Sequence, residues 1–479
     1  MEKQKLSELQ SSFPEPDSER LKELLSRAIK SNASKIIVLD DDPTGVQTVH
    51  DVTVITDWNI ESIRKGFLTP EKVFFILTNS RSFTEAQTSA AHQEIAENIM
   101  AVSRQLDRDY MIISRGDSTM RGHYPLETEV LKDSIESKAS YTFDGEILCP
   151  FFKEGGRFTV NNIHYVAEHD RLTPIGDTEF ARDKTFGYTS SGLGEWVEER
   201  TGGAFRQDSM TMITLEELRA CEITAIVKKL NAVTGFNKVI VNALDYCDLQ
   251  VFCIALYESL AEGKKFLYRT AASLVRVIGG ISEQPLLRAE QLIEPGSGSG
   301  GLIVAGSHTS KTTAQLEQLK PGGHVVMLEF NQHLMVESEE RVQREIARVI
   351  EQCTLLLSQN RTVALCTRRE RLDLNSGNKE DELRISVRIS DALTHIVASL
   401  QIRPRFIIAK GGITSSDIGT KALKVQQAIV AGQIKPGVPV WICGEESRFP
   451  QLPYVIFPGN VGEESTLKEI VEELTLCER

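Results

Sequence analysis

The chain has 479 residues, 41% hydrophobic and 25% charged. These are ordinary globular proportions, sufficient for several domains and a core that needs no disulfide or metal staple. Lys plus Arg is 54 and Asp plus Glu is 67, a net charge of −13, which opposes general binding to nucleic acid or to an anionic membrane surface. Any anionic ligand must therefore meet positive charge gathered locally. The longest apolar runs, such as Val73 to Leu77, are far shorter than a bilayer span. Met1 to Gln10 is charged and has no apolar core, so no signal peptide is predicted. The eight cysteines are scattered, without CxxC pairs or zinc-like Cys/His spacing, which fits a reducing cytoplasm and no structural metal.

After Pro14 and Pro16, the spacing of Leu21, Leu24, Leu25 and Ile29 predicts an N-terminal helix. Strands are expected at Ile36 to Leu39, Val52 to Ile55, Val73 to Leu77 and Tyr110 to Ser114. Helices are expected over Thr84 to Leu106, with Thr84 as N-cap, and Pro125 to Lys138. Lys238 to Val241 and Phe266 to Tyr268 read as strands flanking a helix from Asp245 to Glu262. Pro295 to Gly301 has linker composition. Beyond it the alternation restarts: strands at Leu302 to Ala305, His324 to Leu328, Thr362 to Cys366, Arg405 to Ala409, Val438 to Ile442 and Tyr454 to Phe457. Helices are expected at Thr309 to Leu319, Ser338 to Ser358, Glu380 to Leu400 and from Glu463. Such alternation predicts an α/β protein of two domains, each a mostly parallel sheet flanked by helices. The expected divisions are a helical extension over 1–34, a first domain over 35–290, a linker over 291–301 and a second domain over 302–479.

The chemistry-bearing residues sit at expected strand ends, where open α/β sheets bind ligands. Ile36 to Leu39 runs into Asp40-Asp41-Asp42-Pro43-Thr44-Gly45. One Asp is accounted for by turn capping; three adjacent carboxylates repel one another and call for a cationic partner. Ile112 and Ile113 run into Ser114-Arg115-Gly116-Asp117-Ser118-Thr119-Met120-Arg121-Gly122-His123. Arg115 and Arg121 offer planar forks for a carboxylate or phosphate, and Asp117, Ser118 and Thr119 can bind hydroxyls. Arg81, after Asn79-Ser80, and Arg157, after Gly155-Gly156, are further anion ligands or plain surface charges. In the second half, Gly306-Ser307-His308-Thr309, Lys410 to Asp417 and Pro458 to Gly462 each follow an expected strand and lead towards a helix. Glycine lets backbone N–H groups approach a phosphate, and three such loops in one domain suggest a nucleotide site.

Two glycine patterns are set aside. Gly296, Gly298 and Gly301 match GxGxxG but precede a strand, whereas a dinucleotide loop follows one. Gly306 with Lys311 and Thr312 lacks the second glycine of a P-loop, and Lys311 is expected on a solvated helix face.

Asp40-x-Asp42-x-Thr44 also fits a haloacid-dehalogenase-type phosphatase, with Asp40 as nucleophile, Asp42 as acid/base, Thr78 as a second motif and Mg²⁺ alongside. That reading leaves the second domain unexplained, and Arg121 stands where its second acid is expected. Taken in order, Asp41-Asp42-Pro43-Thr44-Gly45, Arg115 to His123, Gly306-Ser307, Gly411-Gly412-Ile413-Thr414-Ser415 and Gly459-Asn460-Val461-Gly462 resemble the four-carbon acid sugar kinases. The resemblance covers nearly the whole chain after the N-terminal helix. It differs from the family's usual form at Pro43, Val46 and Val461 and through Thr173 to Tyr188, differences that bear on the substrate more than on the reaction.

The resemblance implies a sugar-acid domain, an ATP domain and an active site in the cleft between them. The substrates are then ATP and a threonate, erythronate or 3-oxo-tetronate type acid, with Mg²⁺, in the cytoplasm; nucleic acid and membrane are not expected partners, and the oligomeric state, homo-oligomers included, is left open. Asp42 or Asp117 is the expected base. Asp41, Arg81, Arg115, Ser118, Arg121 and Arg157 are expected at the sugar acid, with Asp41 also at the metal. Ser307, Gly411, Gly412, Thr414, Gly459, Asn460, Val461 and Gly462 are expected at the nucleotide. A non-catalytic sugar-acid binder is the third reading.

Overall fold

The computed structural model describes residues 5–294, 296, 298–321, 323–370, 372, 379–459 and 461–475, apart from the side chains of 379–383. Asn460 and part of the Gly/Ser stretch lie outside them. The chain divides into two compact units: residues up to Val49 with Asp57–Glu283, and His50–Thr56 with Gln284 onward. Among the described residues no helix is long and apolar enough to cross a membrane.

The sheet of the first unit is parallel. Its strands run in the order Val73–Leu77, Lys35–Asp40, Tyr110–Arg115, Phe266–Thr270, Gly145–Cys149, Asn237–Val241, Thr211–Ile213. Ile36, Ile37, Val38 and Leu39 are all buried, as a strand covered by helices on both faces must be. Thr84 caps the helix Glu85–Leu106 in a capping box with Gln87, and Asp245 caps Tyr246–Ala261. From the Lys35 strand the chain passes to Val73 on one side and then to Tyr110 on the other. The switch point of the sheet therefore lies beyond Asp40 and Arg115, the place where such sheets open a ligand crevice.

Residues 157–174 form a separate antiparallel sheet of Arg157–Val160, Ile163–Glu168 and Arg171–Pro174. The sequence reading missed these strands because they are short and carry polar residues on one face. The N-terminal helix is Ser18–Ser31, and a further short one covers Leu6–Ser11.

The second unit has parallel strands in the order Val325–Phe330, Thr362–Thr367, Leu302–Ala305, Ile407–Lys410, Pro453–Phe457. Val438–Cys443 and Gln427–Lys435 follow antiparallel, and Val52–Ile55 pairs antiparallel with the latter. This last strand, expected in the first domain, pairs through Val52 with Val430 and through Ile55 with Gln427. Connections from the Leu302 strand and to the Ile407 strand leave on opposite sides, so this unit's switch point lies beyond Ala305 and Lys410. The end of the Gly/Ser stretch is packed rather than loose. A Cβ on Gly300 would stand 2.0 Å from the Arg361 carbonyl oxygen, and one on Gly301 would stand 2.1 Å from the Phe406 ring.

Candidate active site

The acidic turn after the Lys35 strand is held by arginines from its neighbours. Arg81 grips Asp41 with both edges of its fork, Nη2 to Oδ1 at 2.6 Å and Nε to Oδ2 at 3.0 Å. Arg115 reaches Asp40 at 3.2 Å and Asp41 at 3.6 Å. Backbone bonds fix the same strand ends: Asp41 N–H donates to the Arg115 carbonyl and Thr78 N–H to that of Asp40. Asp40 and Asp41 are each under 4% exposed. Burial pushes the Asp40 carboxyl up to about 7 against the opposing pull of Arg115, and burial likewise raises Asp41 against the pull of Arg81.

Asp42 differs. Its Oδ1 accepts the Thr44 N–H at 2.9 Å, capping the short helix Pro43–Val46, and its nearest cation is Arg81 Nη1 at 3.5 Å. Gly45 is required by packing, since a Cβ there would stand 2.0 Å from both Asp40 carboxylate oxygens.

The second turn, after Arg115, folds back on itself. Asp117 accepts from Arg121 Nε at 2.7 Å and from the Thr119 hydroxyl. Burial opposes ionisation of Asp117, but Arg81, Arg121 and Thr119 outweigh it and hold its pKa well below the usual carboxylate range. The backbone of Ser118 accepts from His164 at 2.9 Å, and that of Thr119 from the Tyr188 hydroxyl at 2.7 Å. Arg121 and Arg157 both lie over the Phe180 ring, at 5.2 and 5.7 Å from its centroid.

Behind the turns, Arg269 pairs with buried Glu127 at 2.7 Å and with Ser114, while Ser80 donates to the same Glu127 at 2.6 Å. Gly116 exists to admit Arg269, for a Cβ there would fall 2.2 Å from its guanidinium. The sequence reading did not single out Arg269 or Glu127; each is one charge inside an otherwise regular strand or helix.

The first unit thus gathers Asp41, Asp42, Arg81, Arg115, Asp117, Ser118, Arg121 and Arg157 at one end of its sheet. Two expectations change in detail. Arg115 is only 3% exposed and its fork turns inward, because buried Asp40 and Asp41 need a counter-charge there. Asp41 does not fit a metal ligand, since Arg81 occupies both its oxygens. Asp40, the nucleophile of the phosphatase reading, is 2% exposed, paired through Oδ1 with Arg115 and packed against Gly45.

In the second unit, Gly306–Ser307 and Gly411–Gly412 follow the central strands. Gly411 has φ +103° and donates its N–H to the Phe457 carbonyl. The Thr414 hydroxyl lies between the two turns, 3.6 Å from a Cβ placed on Gly306 and 4.0 Å from one on Gly411. A Cβ on Gly459 would meet nothing within 4 Å, whereas Gly462, at φ +80°, packs on Thr466. Val461 is packed against the unit's core.

Two cations here escaped the sequence reading. Lys410 is buried, donates to the Pro458 carbonyl at 2.9 Å and lies 3.8 Å from the Phe457 ring centroid. Burial, reinforced by Lys311, lowers its pKa to about 7. Arg369 donates to the Ser307 carbonyl at 2.7 Å, while its Nε and Nη1 are buried without a partner. The signal for Lys410 was its place between a buried strand and two glycines.

Residues 36–278 match the model of a sugar-binding N-terminal domain, and residues 302–467 that of a nucleotide-binding C-terminal domain. The chain is 23% identical over 456 residues to the D-threonate kinase of Salmonella typhimurium, covering 90% of this chain and 96% of that one. Its fold is shared with a Haemophilus influenzae protein of the DUF1537 family, at TM-score 0.58 and 17% identity over 92% of this chain and 100% of that one. A Salmonella typhimurium LT2 protein described as a tRNA synthase gives a TM-score of 0.62 at 15% identity, over 91% of this chain and 98% of that one.

Proposed function

This chain belongs to the four-carbon acid sugar kinase family, and on that premise we propose that it transfers the γ-phosphoryl group of ATP to a hydroxyl of a four-carbon sugar acid. The observation that carries this reading is that one chain holds both an arginine-rich, carboxylate-bearing strand end in its sugar-binding unit and glycine turns at the switch point of its nucleotide-binding unit.

Phosphoryl transfer asks a protein chiefly for positioning and charge. Arg121 and Arg157, which share the Phe180 ring, give the acid's site its positive charge, and Ser118 lies on the turn beside them. Asp42 is the base. It is the acidic-turn carboxylate that Arg81 leaves least engaged, and it accepts the proton of the attacking hydroxyl. Asp117, kept ionised by Arg81 and Arg121, orients that hydroxyl and is too weakly basic to take its proton. Ser307, Gly411, Gly412, Thr414 and the Gly459, Asn460, Val461 and Gly462 turn cradle the nucleotide. Gly411 and Gly459 carry no side chain where a Cβ would meet nothing nearer than 4.0 Å, so the backbone there is open to close approach, although the Gly411 N–H itself is spent on the Phe457 carbonyl. Mg²⁺, if bound with the nucleotide's phosphates, would neutralise their charge and would need few protein carboxylates. The reaction belongs in the cytoplasm, where free thiols such as Cys221 and Cys247 persist.

The test is ADP formation from Mg-ATP across D- and L-threonate, D-erythronate, their 3-oxo analogues and five- and six-carbon acids. Turnover is expected on a four-carbon acid. No turnover on any acid, with phosphate released from sugar phosphates instead, sinks the reading; binding without turnover makes the chain a sugar-acid binder.

A further inference from the structure

Arg157 stands apart from the other arginines of the sugar-binding unit. Arg81 and Arg115 are paired with Asp41 and Asp40, Arg121 with Asp117 and, at 3.7 Å, Asp183, and Arg269 with Glu127. Among the described residues Arg157 has no carboxylate partner, and its Nε is buried without a hydrogen bond. It opens the strand Arg157–Val160 directly after the Gly155–Gly156 turn. A Cβ on Gly155 would fall 2.3 Å from the Phe152 ring and 3.3 Å from Arg157 Nη1, so the bare turn lets both side chains pack against it.

Electrostatics bear on this unpaired guanidinium. Burial lowers its pKa, and the positive charge of Arg121 adds to that effect while Asp117 and Glu168 oppose it. The Phe180 ring lies under both guanidiniums and offsets part of their repulsion. A partly buried cation without an anion is unfavourable until one arrives, and a planar fork suits a carboxylate best.

We propose that Arg157 takes the carboxylate of the sugar acid and that Phe180 is the positioning residue that presents it. The inference rests on the kinase reading above and names the group that separates an acid from a neutral sugar. Arg121 keeps its fork on Asp117, and Arg115 keeps Asp40.

The experiment titrates a four-carbon aldonate into wild-type, Arg157→Met, Arg157→Lys and Phe180→Leu chains by calorimetry, without nucleotide. Thermal unfolding of each variant serves as a folding check. The Met variant is expected to lose about 100-fold in affinity, as removal of a charged, bidentate partner does, with the Lys variant recovering part of it. Phe180→Leu is expected to raise KM for the acid while leaving kcat unchanged. The Met variant should bind the corresponding neutral tetritol as the wild type does. Equal aldonate affinity in wild type and Arg157→Met overturns the inference, as does a wild type that binds no aldonate. ADP formation by the wild type, measured in parallel, separates this from the parent reading. Turnover that Arg157→Met leaves intact keeps the kinase and removes Arg157, while absent wild-type turnover removes the kinase itself.

Discussion

Arg81 meets Asp41 edge to edge, and the same guanidinium stands 3.5 Å from Asp42 through its remaining nitrogen. One fork thereby fixes one of two adjacent carboxylates and leaves its neighbour accessible. On the proposed mechanism, that asymmetry separates the structural acid of the turn from the chemical one.

Asp42→Asn should lower kcat by about 10²- to 10⁴-fold, the usual contribution of a positioned base, with KM for ATP unchanged. Asp117→Asn should act differently, raising KM for the acid because it releases Arg121. Steady-state kinetics with each substrate varied in turn distinguishes them. Near-normal kcat in Asp42→Asn refutes the assignment.

Removing Arg81 strands a buried carboxylate. Arg81→Met should destabilise the first unit by about 3–5 kcal/mol, the cost of breaking a buried ion pair. Adding Asp41→Asn should restore part of that loss. Urea unfolding of the single and double variants measures the coupling; additive effects would show the pair to be uncoupled.

Two buried groups give opposite pH signatures. Asp40 holds its proton up to about 7 in the folded chain, against an ordinary 3.8. Its stabilising contribution is therefore complete below 3.8 and is lost as pH rises through about 7. Lys410 sheds its proton near 7 instead of 10.5. Between those values the unfolded chain binds the extra proton, so this group's contribution to stability grows as pH rises. Asp40→Asn should flatten the first window and Lys410→Met the second. Unfolding free energies at several pH values across both windows check this, and slopes identical to wild type in both variants contradict it.

Gly45→Ala should distort the acidic turn, because its methyl would fall 2.0 Å from both oxygens of Asp40. Overpacking of this kind costs about 1–3 kcal/mol, and a displaced Asp42 should cost turnover well beyond that loss of stability. A melting curve beside an ADP assay resolves the two effects; unchanged turnover would mean that the turn absorbs the methyl.

Much of this was legible in the sequence. Apolar runs such as Val73 to Leu77 announce buried parallel strands, and charges crowded behind Leu39 and Ile113 announce the crevice, because the end of a strand is local information. Which arginine partners which acid is not local. Arg115 and Arg121 read alike in sequence, yet one turns inward to Asp40 and the other lies on Asp117. Arg157 looked like an optional helper because the ring beside it, Phe180, comes from a segment with no regular pattern. Lys410 was visible within its glycine loop, but its burial depends on Phe457 and Pro458, forty-odd residues away.

The strand Val52–Ile55 joins Gln427–Lys435 across about 380 residues of chain. At ribosomal rates of about 5–20 residues per second, its partner is synthesised roughly 20–75 s later. For that interval a β-branched segment, Val52-Thr53-Val54-Ile55, waits with the side that will meet Gln427–Lys435 unmatched. The second unit therefore cannot complete its sheet until the end of the chain is made, and neither unit can be lifted out as a cassette by cutting at the Gly/Ser stretch. An N-terminal fragment would carry a strand that belongs elsewhere, and a C-terminal fragment would bare the Gln427–Lys435 edge to other chains.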